Sequence, residues 1–102
     1  MILKTEKRTL LTVITESAIE DTLLKDLDKL GVHGYTVSDA RGRGGRGVRD
    51  ASWGEVSNIR LEMICQRTLA ETILNHIQNH YYDNYAMVAF LQDIEILRAD
   101  KF

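Results

Sequence analysis

The sequence has no proline, a single cysteine (Cys65) and no apolar run of about 18 residues. One cysteine cannot form an internal disulfide, and this scarcity favours a cytosolic protein over a disulfide-stabilised secreted one. Without a long apolar run, we expect no membrane-spanning helix. Because proline is absent, glycine residues are left to mark most of the turns.

The chain also lacks an excess of positive charge. Its formal net charge is -2, which argues against general nucleic-acid binding, because duplex binders usually carry a basic excess. Apolar residues make up 44% and charged residues 27%, ordinary values for a globular domain. A length of 102 residues suffices for one domain with one core. The N-terminal residues lack the layout of a signal peptide, so we expect none.

Apolar and β-branched stretches predict five short strands. The predicted ranges are Thr9–Ile14, Gly34–Ala40, Asn58–Cys65, Tyr85–Leu91 and Ile94–Leu97. The third is the clearest, because Ile59, Leu61, Met63 and Cys65 share one face while Asn58, Arg60 and Glu62 share the other. The pair Gln92-Asp93 is predicted to interrupt the β-structure between the last two strands.

Two helices are predicted between these strands, each opening with a capping box. In Ser17-x-x-Glu20, each side chain would bond the backbone N–H of the other residue. Thr68-x-x-Glu71 repeats the pattern at the second helix. Apolar residues recur at helical spacing after both boxes. We expect Gly31 to end the first helix, because a helix C-terminus favours a left-handed residue.

This order of elements predicts a single α+β domain over residues 1–102. It is the ferredoxin-like β-α-β-β-α-β order, with a long loop between strands two and three and a short extra C-terminal strand. Two helices cover only one face of such a sheet. Ile64 and Val88 would lie on the other face, so we expect an oligomer rather than a monomer.

The loop contains the stretch RGRGGRGVR, with four arginines and four glycines in nine residues. Gly42, Gly44 and Gly47 spell G-x-G-x-x-G, but no amphipathic helix follows, as a dinucleotide fingerprint requires. A Walker loop is excluded because Val48-Arg49 stands where Lys-Ser/Thr is needed. The remaining interpretations are a solvated hairpin loop, an RGG-type RNA-binding tract and a flexible phosphate-binding loop.

The phosphate-binding interpretation explains the composition best. Guanidinium groups offer planar donor forks suited to phosphate, and glycines let backbone N–H groups approach an anion closely. Loops beyond about 12–15 residues are usually functional or disordered. We expect residues 42–56 to be flexible and to order around the ligand. Trp53, an aromatic residue in this polar loop, suggests contact with a partner or stacking on a base.

Other chemistry-bearing residues give weaker signals. His76 and His80 have the i,i+4 spacing of a metal pair, but no third ligand is evident, so a solvated helix face is the preferred interpretation. Arg60 and Glu62 suggest a structural ion pair. No grouping of serine or cysteine with histidine supports nucleophilic catalysis. We therefore predict neither catalytic nor metal-binding residues.

The sequence resembles the PII-like signalling proteins, in the branch that contains SbtB and the carboxysome-associated PII proteins. Three stretches carry the resemblance: GYTVSDARGRGGRGVRDASW at 34–53, NIRLEMI at 58–64 and HYYDNYAMVAF at 80–90. The resemblance implies a ferredoxin-like homotrimer that binds AMP, ADP, ATP or cyclic AMP in clefts between subunits. It also implies that the long loop changes conformation with the ligand and docks on a membrane transporter of inorganic carbon, above all a bicarbonate carrier. Bicarbonate itself is a further candidate ligand.

The same resemblance suggests roles for individual residues. The stretch that lines the adenosine pocket is matched by Gly34, Tyr35, Thr36 and Val37. The loop base that holds phosphate is matched by Gly45, Arg46 and Arg49. The strand opening that flanks the nucleotide is matched by Tyr85, Ala86 and Met87. Partner contacts are expected from Arg41, Arg43 and Trp53.

Some features depart from the family pattern. Standard PII proteins can be uridylylated on a tyrosine of this loop, and no tyrosine lies between Gly42 and Val56. Met87 stands where SbtB proteins often have glycine. The alternative function is a trimeric metal-handling protein of the CutA type, which shares the fold but does not need four guanidinium groups. A nucleotide-hydrolysing enzyme is a third possibility, but no base or metal-binding carboxylate cluster is evident.

Overall fold

A computed structural model describes residues 3–42 and 57–102. In chain order the elements are β1 (Glu6–Glu16), α1 (Glu20–Lys29), β2 (Thr36–Ala40), β3 (Asn58–Cys65), α2 (Arg67–His80) and β4 (Met87–Ile96), with short 3₁₀ turns at Ser17–Ile19 and Ala99–Lys101. The predicted α+β, ferredoxin-like fold is confirmed. None of the described helices is long and apolar enough to cross a membrane.

The four strands form one antiparallel sheet in the order β2-β3-β1-β4. The long central strand β1 pairs with both β3 and β4, so β2 and β4 are the two outer strands. Leu11 lies opposite Met63 on one side and opposite Leu91 on the other, which sets the register of the whole sheet.

The hydrophobic core lies between one face of the sheet and the two helices. Leu23 and Leu27 of α1 and Ile73 and Ile77 of α2 are all buried within it. The sheet supplies alternate residues to this core, namely Leu11, Val13, Ile59, Leu61 and Met63. The alternation predicted for β3 is confirmed, since its residues are buried at every second position. In β3, an apolar residue on this face therefore gains burial that the next residue along the strand does not.

The opposite face of the sheet, which we call the open face, carries apolar side chains with no covering element in the described part of the chain. Leu10 pairs with Ile64, and Ile14 pairs with Val88. Val88 is 49% exposed, a high value for a valine inside a strand. Phe90, also on this face, is partly buried. The expectation that Ile64 and Val88 lie away from the helices is confirmed.

Both predicted capping boxes are wrong. The Ser17 hydroxyl donates to the carbonyl of Ser57 at 2.8 Å, so it joins the 3₁₀ turn before α1 to the residue that precedes β3 instead of capping the helix. The second helix begins at Arg67, one residue earlier than predicted. Glu71 accepts from the Arg67 guanidinium at 2.9 Å instead of turning back to Thr68. In both cases the side chain forms a hydrogen bond with another group instead of with the backbone N–H at the start of the helix.

The predicted break at Gln92-Asp93 is also wrong. β4 runs without interruption from Met87 to Ile96, and the two polar residues pair with Leu10 and Thr9 of β1. Both side chains are exposed, so an outer strand accommodates them without losing its ladder. The short extra strand is therefore the second half of β4. Gly31 does end the first helix region, with φ of 98°, as predicted.

Candidate functional site

The Arg/Gly segment leaves the sheet at the end of the outer strand β2 and re-enters it at the start of the inner strand β3. Ala40, the last residue of β2, pairs with Asn58, the first of β3. The bonds from Ser17 to Ser57 fix the re-entry point further. Arg41 and Gly42 are exposed at the exit. The other loop residues of the predicted site lie outside the described residues: Arg43, Gly45, Arg46, Arg49 and Trp53.

The stretch predicted to bind adenosine begins just before β2. Gly34 and Tyr35 precede the strand, and Tyr35 is 50% exposed. Thr36 is exposed opposite Glu62 on the open face. Val37 differs from the others, because it lies opposite Leu61 and packs against the core. Its side chain is therefore partly buried against the core, unlike those of Tyr35 and Thr36.

Beside Gly34 there is a cleft of about 360 Å³. The turn after α1, the end of β3, the start of α2 and the last two residues form its walls. Its lining residues are Gly31, Val32, His33, Gly34, Met63, Ile64, Cys65, Gln66, Thr68, Leu69, Lys101 and Phe102. A Cβ atom built on Gly34 meets no atom within 4 Å, so this position opens into free space. No sequence motif indicated the cleft, because four separate parts of the chain build it.

The second predicted group, at the opening of β4, is held firmly by β1. The backbone N–H of Ala86 donates to the Glu16 carboxylate at 3.1 Å, and the Thr15 hydroxyl donates to the Ala86 carbonyl at 3.0 Å. Met87 pairs with Thr15 and packs partly against the core. Tyr85 and Ala86 are exposed. The backbone here is fixed, and two of the three side chains face solvent.

Within one chain, the predicted group at residues 34–37 lies far from the predicted group at residues 85–87. Thr36 is on the outer strand β2, and Met87 is on the opposite outer strand β4. Two strands lie between them, which corresponds to a separation of about 14 Å across the sheet at about 4.8 Å per strand. Met87 is also level with Asp39 rather than with Thr36, which adds about 10 Å along the strands, so a ligand of the size of a nucleoside cannot contact both groups within one chain. If they serve one ligand, they come from different subunits.

A hydrogen-bonded cluster fixes the segment that precedes β4. The Asp26 carboxylate of α1 accepts from the Tyr81 hydroxyl and contacts His76 Nε2 at 3.2 Å. These bonds, first the one from Tyr81 and then the one from His76, lower the pKa of Asp26. Burial, followed by the Asp26 hydrogen bond, raises the pKa of Tyr81. The Tyr81 carbonyl then accepts from the backbone N–H of Tyr85 at 3.1 Å, so the cluster reaches the candidate site.

The histidine pair is part of this structural cluster. The rings of His76 and His80 stack with centroids 4.2 Å apart. Among the described residues, no group of three histidine, cysteine or acidic side chains is arranged to hold a metal ion. Arg60 and Glu62 form the predicted ion pair, with Nε and Oε1 3.7 Å apart.

We expect Asp26→Asn to destabilise the protein near neutral pH by about 1 kcal/mol, because the hydrogen bond from Tyr81 then reaches a neutral amide oxygen and loses its charge assistance. The folded-state pKa of Asp26 lies below its ordinary value of 3.8, so the ionised carboxylate stabilises the fold above that pH. The stabilisation fades as the pH falls through the folded-state pKa, and the difference between variant and wild type should shrink with it. Urea unfolding at pH 7 and at pH 3 measures this, with the exposed Asp28→Asn as control. Equal losses at both pH values would contradict the assignment.

With this geometry established, comparison with known proteins identifies the family. The family model described as nitrogen regulatory protein P-II matches residues 8–101. The chain belongs to the PII family. PII proteins are signalling proteins, generally without enzymatic activity, and they form trimers. The resemblance noted from the sequence is confirmed.

Solved PII-like structures match almost the whole chain. A PII-like signalling protein from Thermus thermophilus is 36% identical, with a TM-score of 0.82, and the match covers 98% of this chain and 99% of that one. CPII from Thiomonas intermedia K12, bound to ADP and bicarbonate, is 25% identical with a TM-score of 0.84 and 99% coverage of both chains. A second CPII structure contains ADP, AMP and bicarbonate, and it is 25% identical with a TM-score of 0.78, covering 93% of this chain and 98% of that one.

Proposed function

We propose that this PII-family chain is a homotrimer that binds adenine nucleotides in the clefts between its subunits. The position of the two candidate groups on opposite outer strands carries the proposal. A site shared between subunits can use both groups, whereas a site within one chain cannot. The open face, with Leu10, Ile64 and Val88 uncovered in the described chain, supplies an apolar surface on which subunits can pack.

The cleft beside Gly34 suits the nucleoside part of such a ligand. Its floor contains Met63, Cys65 and Leu69, so a flat heteroaromatic base would be largely removed from water. Thr36 adds a hydroxyl on the exposed side of β2. CPII, which binds ADP, AMP and bicarbonate, supports this choice of ligand class.

The phosphate groups are assigned to the Arg/Gly segment. Arg46 and Arg49 would hold phosphate with charge-assisted, forked hydrogen bonds, and Gly45 would let the backbone approach the anion. AMP, ADP, ATP and cyclic AMP are all candidates, and bicarbonate is a second ligand of the same anionic kind. Tyr85 and Ala86 would flank the nucleotide from the neighbouring subunit's outer strand.

The binding would act as a signal rather than as a step in a reaction. A nucleotide that prefers one conformation of residues 42–56 shifts the loop population toward it. In the ordered state, Arg41, Arg43 and Trp53 would contact a membrane transporter of inorganic carbon, the target class implied by the resemblance to the SbtB branch. No catalytic residue or metal ion is required.

Calorimetric titration with AMP, ADP, ATP and cyclic AMP, each with and without bicarbonate, tests the proposal. We expect saturable binding at one nucleotide per chain for at least one of these ligands, because every subunit contributes one copy of each half-site. Guanosine nucleotides at the same concentrations serve as the control. The absence of binding by any adenine nucleotide would overturn the proposal.

A further inference from the structure

The guanidinium of Arg8 forms hydrogen bonds with the backbone of residues 99–102. Arg8 lies in β1 with only 13% of its side chain exposed. Its Nε donates to the main-chain oxygen of Phe102 at 3.0 Å, its Nη2 to that of Ala99 at 2.9 Å and its Nη1 to that of Lys7 at 2.8 Å. Each guanidinium nitrogen therefore has a main-chain oxygen as its partner, and two of the three partners are in residues 99–102. Lysine cannot reproduce this planar fork.

The segment 99–102 needs such an anchor, because the turn that leads into it is unfavourable. Arg98 follows β4 with φ of 58° and ψ of 43°, in the left-handed region that a non-glycine residue seldom adopts. The turn reverses the chain, and Ala99 becomes buried against β1, with 7% exposure. Local backbone preference opposes this path, so distant contacts must hold it.

The anchored segment ends at the cleft beside Gly34. Lys101 and Phe102 are both lining residues of that cleft, together with the turn 31–34. The Phe102 ring remains 45% exposed, although it is a large aromatic group. A ring placed at the edge of a cleft with an apolar floor offers a surface on which a flat base can pack.

We propose that Arg8 is a positioning residue for the ligand, because it holds Phe102 as a wall of the cleft against which the adenine ring packs. This inference rests on the proposed function for the identity of the ligand. It adds that Arg8 acts on the base and not on the phosphate, although it is a cation. Arg8 does not touch the ligand, since it is not among the residues that line the cleft and each of its three nitrogens already donates to a main-chain oxygen.

Adenosine titrations with Arg8→Gln, Phe102→Ala and the double variant test the proposal. We expect each single variant to weaken adenosine binding about tenfold, in line with the contribution of one base–aromatic contact. ADP should weaken by the same factor, because the phosphate contacts are unchanged. The double variant should bind about as weakly as Phe102→Ala, since Arg8 acts through the ring. Arg67→Gln, which removes an exposed arginine outside the cleft, should bind normally.

Fully additive losses in the double variant, or wild-type affinity in Arg8→Gln, would overturn the proposal. Thermal unfolding of each variant separates loss of binding from loss of the fold. If Arg8→Gln does not fold, Arg8→Lys replaces it, and we expect a smaller loss of adenosine affinity because a lysine can satisfy only part of the carbonyl set.

A second readout needs no nucleotide. Cys65 is the only cysteine, lines the same cleft and is 7% exposed. If Arg8 keeps the wall in place, Arg8→Gln should make the Cys65 thiol react several times faster with iodoacetamide under native conditions, whereas Arg67→Gln should not. Equal rates in wild type and Arg8→Gln would contradict the positioning role. If wild type binds no adenine nucleotide, the proposed function is refuted, while the labelling rates still decide whether Arg8 holds the wall.

Discussion

Val88→Asp should convert the trimer to monomers and abolish nucleotide binding. Val88 lies on the open face, opposite Ile14 of β1, and is 49% exposed in the single chain. If this face packs against other subunits, the substitution places an unpaired carboxylate in an apolar interface. The cost is at least about 3 kcal/mol per subunit, and a trimer incurs it three times. Light scattering would report the mass, and calorimetry with ADP the loss of binding.

Leu3→Asp is the matched control for this substitution. Leu3 is another exposed apolar residue, at 68% exposure, but it precedes β1 and lies off the open face. We expect this variant to remain trimeric and to bind ADP. A Val88→Asp protein that stays trimeric, or a monomer that binds ADP with wild-type affinity, would show that the site is not shared between subunits.

Arg46→Ala and Arg49→Ala should each weaken AMP and ADP binding by about ten- to a hundredfold. A charge-assisted hydrogen bond to phosphate contributes about 1.5–3 kcal/mol, which corresponds to this range. Adenosine, which has no phosphate, should be affected far less. Competition titrations with adenosine and AMP on the same variants separate the two contributions.

Arg41→Ala and Arg43→Ala are the controls from the same segment. Removing either should change nucleotide affinity less, because both are assigned to the partner. If all four arginine substitutions instead weaken single-stranded RNA binding equally and leave AMP binding unchanged, the segment is a nucleic-acid element. Its assignment to phosphate would then be wrong.

Much of the fold follows from local pattern. The alternation in β3 and the apolar stripes of both helices place the same residues in the core that the structure buries, for example Leu61 and Ile73. Gly31 ends α1 because the position requires a left-handed conformation. Each of these features depends on residues close together in sequence, so the local sequence pattern is enough to predict it.

The wrong predictions concern residues that form hydrogen bonds or pair with residues far away in the sequence. The hydroxyl of Ser17 has an acceptor at Ser57, forty residues away, and this bond replaces the helix cap. The polar pair Gln92-Asp93 looks like a break, but pairing with β1 keeps the strand continuous. The bonds of Arg8 to Ala99 and Phe102, and the cleft they border, have no local signature.

The residues of the candidate site were predictable from the sequence, but their arrangement in space was not. The residues around Gly34 and Tyr85 could be assigned from their resemblance to a family, and the structure places both groups where side chains are exposed. The sequence does not reveal that they lie on opposite outer strands, because that depends on the order of strands in the sheet. The side chain of Val37, assigned to the ligand, turns out to pack against the core.

Mixed trimers test most directly the claim that two subunits share each nucleotide site. Gly34→Trp would fill the cleft on one half-site, where Gly34 opens into free space, and Ala86→Trp would block the half-site on the opposite outer strand. Each variant alone should fail to bind ADP. When the two are refolded together in equal amounts, about a quarter of the clefts should combine two intact halves and bind ADP with wild-type affinity. If mixing restores no binding although both variants fold and assemble, each site lies within one chain and the account is contradicted.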